Sequence, residues 1–311
     1  SGPRSTRQSN MSTSIPFNKS FECEYGAVQT VAPMIRRVVA RNPSPFTFHG
    51  TGTYIIGHGK VAVVDPGPDL GEHVEALLDA LGGEEVTHLL VTHTHLDHSP
   101  ACRHLRAATG APAYGYGPHG SGKLEEGVKV EEGGDFDFVP DREVRDGDVI
   151  EGDGWSVECV YTPGHTSNHI CYGLREQRAL FSGDHVMGWS TTVVSPPDGD
   201  MRQYISSLEK LLGRDDATYW PTHGGPIRDP KPFAQAYLEH RHERVRQILA
   251  CLDRDLTQID RMVPAIYTGL PPALVAAAGR QVLAALVYLV ETGEAAVEGE
   301  LAMGASFRRA R

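Results

Sequence analysis

Thr92-His93-Thr94-His95-Leu96-Asp97-His98 places four ligand-type side chains within six residues, directly after the apolar run Val86 to Thr92. That run reads as a buried strand, because the helical spacing of Leu70 to Leu81 stops at Gly82-Gly83 just before it. A tight turn at a strand end lets alternate residues aim at two adjacent cation positions, and imidazole with carboxylate is a donor set that zinc prefers. Solvated surface histidines, the bland alternative, would require neither strand-end placement nor partners further along.

Such partners follow at wide spacing, each in a turn: Thr162-Pro163-Gly164-His165-Thr166, Ser182-Gly183-Asp184, and Pro221-Thr222-His223-Gly224-Gly225. Glycine permits the backbone angles that point a neighbouring side chain into a site. Each motif alone is weak, and their joint occurrence in this order is specific.

The rest of the chain reads around them. Thr53 to Ile56 and Val61 to Asp65, separated by Gly57-His58-Gly59, predict a strand pair. Ser156 to Tyr161, His169 to Leu174 and Ala179 to Ser182 predict strands that end near candidate ligands, and Ala217 to Trp220 a short one. Helices are expected over Pro100 to Ala108, Met201 to Leu212 and Phe233 to Leu252, with a glycine-rich acidic loop or lid from about Gly115 to Gly134. Beyond lie helices at Leu256 to Ile266 and Pro272 to Leu289 and a hairpin within Glu291 to Phe307. The expected division is polar, added or disordered sequence over residues 1–10 before Met11, a catalytic unit over 11–240, and a small C-terminal unit over 241–311.

Composition narrows the class. The 311 residues are 40% hydrophobic and 22% charged, which fits a folded, water-soluble chain. A formal net charge of -11 gives no broad footprint for polyanions. Five cysteines without a C-x-x-C pair suit reduced thiols and a cytoplasmic protein. No apolar run is expected to reach the roughly 20 residues that span a bilayer, so no membrane association is expected.

From Thr51 to Gly225 the motifs resemble the metallo-beta-lactamase superfamily. The resemblance implies an α/β fold, a four-layer sandwich of helix, sheet, sheet and helix with metals at one edge. It implies two zinc ions per chain: one on His93, His95 and His165, the other on Asp97, His98 and His223, with Asp184 bridging them. Iron and manganese suit the same donors. The bridging Asp184 sets the chain apart from secreted antibiotic-degrading beta-lactamases and aligns it with the glyoxalase II, lactonase and nuclease branches. Arg241-His242-Glu243-Arg244, followed by Ile266-Tyr267-Thr268-Gly269-Leu270-Pro271-Pro272, resembles the beta-lactamase-like protein 2 subgroup. That subgroup carries a small, mostly helical, winged-helix-like C-terminal domain. Some of its members cut single-stranded RNA, and related proteins act on thioesters.

Two divalent ions about 3.5 to 4 Å apart can bridge a water and lower its pKa toward neutrality. A metal-bridging hydroxide is then the expected nucleophile, with Asp97 as catalytic residue, binding the second ion and orienting the hydroxide. No G-x-S-x-G elbow or P-loop offers another route. The leading expectation is hydrolysis of a small acyl compound, a thioester, ester or lactone, with weak lactam cleavage not set aside. An RNA-cutting enzyme stands second, since Lys231 to Arg311 holds 10 Lys+Arg against 9 Asp+Glu and offers few phosphate-facing cations. A one-iron, persulfide dioxygenase-like oxidoreductase stands third. Dimerisation stays open.

Other residues are expected to play supporting parts. Asp65 either braces a ligand histidine or merely begins a turn. His169 should brace the site, His185 should be packed, and Tyr204 is explained by core burial. The remaining histidines, His49, His58, His73, His88, His104, His119, His240 and His242, are read as surface or packing residues.

Overall fold

Several short segments of the chain are apolar at nearly every position, a pattern that suits strands covered on both faces. The computed structural model describes residues 14–122 and 133–310, so residues 123–132, half of the acidic stretch expected as a loop or lid, lie outside the described residues. Seven strands form one sheet in chain order: β1 (Val28–Ala32), β2 (Ile35–Val39), β3 (Gly52–Ile56), β4 (Lys60–Val64), β5 (Glu85–Leu90), β6 (Ala113–Gly115) and β7 (Arg142–Glu143). Five more form a second sheet: β8 (Val149–Glu151), β9 (Ser156–Tyr161), β10 (Ile170–Leu174), β11 (Ala179–Gly183) and β12 (Thr218–Pro221), ordered β12-β11-β10-β9-β8.

Alternation within each strand builds the layers. Tyr54, Ile56, Ala62 and Val64 of the first sheet meet Val157, Cys159, Tyr172 and Phe181 of the second in the central core. Ile55, Val61 and Val63 point the other way, onto Leu77 of α1 (Gly71–Ala80) and Leu105 of α2 (Cys102–Thr109). Val160, Cys171 and Leu180 face Tyr204 and Leu208 of α3 (Met201–Leu212) and Tyr237 of α4 (Pro230–Leu252). The result is the four-layer α/β sandwich, with the period of two in each strand setting which layer a residue joins.

Strands β1 and β2 had no counterpart in the sequence reading. Arg36 and Arg37 interrupt the β2 pattern, yet Arg37 is only 6% exposed and stacks on Phe21 while Arg36 pairs with Glu84. Two paired arginines therefore look like a loop in sequence and behave as strand residues in the fold.

The long helix α4 passes unbroken through the expected unit boundary at Arg241. Its first half packs on the sandwich. From Val245 it joins a separate core with α5 (Ile259–Ile266), α6 (Val275–Glu291) and the hairpin of β13 (Ala295–Glu298) and β14 (Ser306–Arg309). One expectation is corrected here: Pro272–Glu291 is 20 residues long and holds an 18-residue window of mean hydropathy 1.8, so by length and composition the chain does hold a helix apolar enough to cross a membrane, with half of that window buried in the fold. Arg280 and Gln281 split the run into two shorter apolar stretches in the sequence. Ala278, Val282, Leu286 and Leu289, on one face of α6, are buried in the C-terminal core.

Candidate metal centre

The ligand motifs sit where strands end. β4 runs into Asp65, β5 into the Thr92 to His98 segment, β11 into Asp184 and β12 into His223, and β9 leads to His165. β4 and β5 are parallel, as are β11 and β12, so within each pair the carboxyl ends open together. The sheets are tied at this edge by Ile170 N donating to Thr92 O at 2.8 Å, Gly52 N to Thr222 O at 2.7 Å and Tyr54 Oη to Pro221 O at 2.6 Å. Gly183 has φ +53°, and a Cβ there would lie 2.5 Å from His169 Nε2. Only glycine turns the chain there and lets Asp184 enter the site.

Two sets of donors converge. In one, His95 Nδ1 lies 3.1 Å from His93 Nε2 and 3.2 Å from His165 Nε2. In the other, His223 Nε2 is 3.0 Å from Asp97 Oδ2 and 3.4 Å from Asp184 Oδ1, while His98 Nε2 is 3.3 Å from both Asp97 Oδ2 and Asp184 Oδ2. Asp184 Oδ2 also approaches the first set, at 3.7 Å from His165 Nε2 and 4.0 Å from His93 Nε2. All seven sequence-derived residues are thus brought together, with Asp184 between the sets.

These spacings suit cations. Tetrahedral bonds of 2.0–2.1 Å put ligand atoms roughly 3.3 Å apart. Among the described residues the close approaches within the set of Asp97, His98, Asp184 and His223 are not well-formed hydrogen bonds, and His98 Nε2, His223 Nε2 and Asp184 Oδ1 are buried at this focus without one, which is costly unless something else satisfies them. A divalent ion among Asp97, His98, Asp184 and His223 would satisfy them, and the three-histidine set offers a second group of donors.

The ring nitrogens that face away are held. His93 Nδ1 meets Thr92 Oγ1 at 3.0 Å, His165 Nδ1 donates to Val193 O at 2.6 Å, and His223 Nδ1 to Gly50 O at 3.1 Å. Asp65, fully buried with φ +49°, settles the choice left open in sequence by doing both jobs. It turns the chain, and it accepts from Thr92 N, Thr92 Oγ1, His98 Nδ1 and Thr222 Oγ1 at 2.7–2.9 Å. Such partners fix the orientation of a ligand imidazole and raise its basicity.

Protonation divides the two sets. Burial, then the neighbouring imidazoles, holds His93 well below the usual histidine range, and burial together with His165 pushes His95 down to about 3. His165 is lowered chiefly by burial. In the other set burial also opposes charge on His98 and His223, but the carboxylates outweigh it. Asp97, Asp184 and Asp65 hold His98 well above its ordinary value, and Asp184 and Asp97 raise His223 to about 10. Burial works against both carboxylates too, and His98 and His223 still hold Asp97 and Asp184 well below the carboxylate range.

A profile of the metallo-beta-lactamase superfamily matches residues 47–223, the span that carries all seven of these residues. The chain belongs to the metallo-beta-lactamase superfamily. It is 30% identical to a beta-lactamase-like protein 2 homolog of Caenorhabditis elegans, over 86% of this chain and 87% of that one. It is 31% identical to an atrochrysone carboxyl ACP thioesterase of Claviceps purpurea, over 73% of this chain and 68% of that one. A beta-lactamase domain protein from Burkholderia ambifaria shares the fold at a TM-score of 0.76 and 22% identity, covering 92% of this chain and 94% of that chain. As a member of this superfamily the chain is a metallo-hydrolase, and its donor set implies a divalent metal.

The centre of this superfamily member opens on a cavity of about 520 Å³. His95, Asp97, His165 and Asp184 form its floor, and Phe46, Leu96, Met187 and Trp189 form apolar walls. Tyr267, Leu270, Leu274, Arg280 and Gln281 of the C-terminal unit close the far side. Sequence reading left these walls unassigned, because scattered apolar residues carry no spacing signal. Tyr267 and Leu270 did stand out within the subgroup motif.

The other histidines fall mainly as expected. His169 is buried, accepts from Asp184 N at 3.3 Å and contacts Thr162 Oγ1 at 2.9 Å, so it braces the turn before Asp184. His185 is buried with its ring 4.8 Å from that of Tyr204. His119 is closer to the chemistry than its sequence context indicated, bonding Thr94 Oγ1 at 2.8 Å with its ring 6.0 Å from His95.

Proposed function

We propose that this chain is a dinuclear metal-dependent thioester hydrolase whose substrate carries a small, largely apolar acyl group. The observation that carries this reading is the seven-donor cluster opening on a mostly apolar cavity of a size that suits a small ligand. His93, His95 and His165 would hold one ion, and Asp97, His98 and His223 the other, with Asp184 shared. Zinc is the preferred ion for these donors. Two such ions would supply a nucleophilic water at neutral pH and polarise the acyl carbonyl.

The protein's own contribution is orientation and proton handling. Asp97 lines the cavity with its side chain 26% exposed, so its carboxylate can accept a hydrogen bond from the nucleophilic water and orient it where substrate meets the cluster. Phe46, Leu96 and Trp189 exclude water from the acyl group. Thioester is favoured over lactone or ester by relatives that bear thioesterase names, in Claviceps purpurea and in Cryptosporiopsis.

The test pairs metal analysis by plasma emission with hydrolysis of an acyl thioester, a lactone, a lactam and single-stranded RNA. Two metal equivalents and preferential thioester cleavage, abolished in Asp97→Ala, are expected. RNA cleavage without thioester cleavage would overturn the reading.

A further inference from the structure

The cavity wall that carries Met187 and Trp189 belongs to the segment linking Asp184 to α3, and this segment is clamped from behind by α4 and α6. Thr192 is the hinge of the arrangement. Its hydroxyl, fully buried, donates to Asp184 O at 2.7 Å and is 3.0 Å from His185 O. The next carbonyl, Val193 O, accepts from His165 Nδ1 at 2.6 Å. Two neighbouring residues therefore hold the main chain of Asp184 and the imidazole of His165.

Thr192 O in turn accepts from Arg241 Nη2 at 2.5 Å and from Gln281 Nε2 at 3.4 Å, and Arg241 Nη1 donates to Gln281 Oε1 at 2.8 Å. Arg241 is only 3% exposed, its hydrogen bonds go to neutral acceptors, and its guanidinium lies 4.8 Å from the Tyr204 ring centre. Burying a cation in this way is expensive, and a guanidinium repays it only where its rigid fork must hold two acceptors at once. One turn earlier on α4, Tyr237 Oη donates to Met187 O at 2.6 Å and bonds Ser190 O, gripping the same segment.

We propose that Arg241 and Gln281 are positioning residues for the metal centre: through Thr192 and Val193 they fix the Asp184 main chain and the His165 ring. The C-terminal unit then serves the centre itself as well as walling the cavity. This rests on the reading of the seven residues as metal ligands, and makes no use of the substrate.

The experiment is zinc binding to metal-stripped full-length protein, by competition with a chromophoric chelator, in the native chain and in Asp184→Ala, Thr192→Val, Arg241→Met, Gln281→Ala and Arg244→Met. Arg244 is the control, on the same helix but stacked on Tyr267 at 4.1 Å, away from Thr192. Zinc affinity should fall about tenfold or more in Thr192→Val and Arg241→Met, less in Gln281→Ala, and stay native in Arg244→Met. Native affinity in folded Thr192→Val and Gln281→Ala, with loss in Asp184→Ala, would leave the metal centre standing and overturn the positioning role. Weak zinc binding by the native chain, unchanged in Asp184→Ala, would instead overturn the ligand reading on which it rests. Should Arg241→Met fail to fold, the Thr192→Val and Gln281→Ala affinities decide, since each removes side-chain hydrogen bonds while the Arg241 guanidinium stays on Thr192 O.

Discussion

The two halves of the metal centre use opposite electrostatics. His93, His95 and His165 are kept neutral by burial and by one another, so that half is ready for a cation without losing protons. Asp97, His98, Asp184 and His223 form a buried cluster of carboxylates and protonated imidazoles, so a cation there must displace protons. The lesson is that seven ligand-type residues do not make two equivalent sites: the shared carboxylate, Asp184, couples a neutral half to a charge-balanced one.

Asp184→Asn should have the largest effect, because its side chain approaches donors of both halves. Turnover of a thioester should drop more than about a hundredfold, with fewer than two zinc equivalents retained. Retention of both ions and near-native turnover would remove the coupling between halves. Asp65→Ala comes next and separates the halves, since Asp65 holds His98 but touches no residue of the three-histidine set other than through Thr92. About ten- to a hundredfold weaker binding of one ion, with the other unchanged, is expected in a zinc titration.

Acid should then distinguish the halves in metal-free protein. His95, at about 3 when folded, and buried His73, lowered to about 4 chiefly by its burial, stay neutral in the fold. The unfolded chain takes up protons at these groups near pH 6.5. Their contribution is present above that pH and lost as pH falls toward 4, so the Tm of stripped protein should decline from pH 6.5 downward. His223 is protonated in both states below pH 6.5, so its contribution is full there and disappears as pH rises through about 10. His95→Gln should blunt the acid limb and His223→Gln the alkaline one. Identical profiles for both variants would erase the contrast. The smallest effect is expected from Phe46→Ala on the cavity rim, a several-fold rise in KM for an apolar acyl thioester with kcat little changed, measured by steady-state kinetics.

The site was legible in sequence to a degree that its surroundings were not. Ligands to a metal must be His, Asp or similar types and must leave strands at turns, so Gly164-His165, Gly183-Asp184 and His223-Gly224 announced themselves. Strands buried on both faces were equally plain. Arginine-bearing β2 was missed because its charge is neutralised by Glu84, some 48 residues away from Arg36. Thr192 and Gln281 were invisible for a related reason, since their roles come from carbonyls and side chains that only the fold brings near. The helix α6 was legible over nearly its full length, and only its mean apolarity was missed, because Arg280 and Gln281 break the run into two short apolar stretches.

The most direct test of the central claim is the zinc stoichiometry of His165→Ala and His223→Ala beside the native chain, by plasma emission after dialysis against trace zinc. Two equivalents in the native chain and about one in each variant, with thioester hydrolysis lost in both, is the predicted result. A single equivalent in the native chain, or two in either variant, would contradict it.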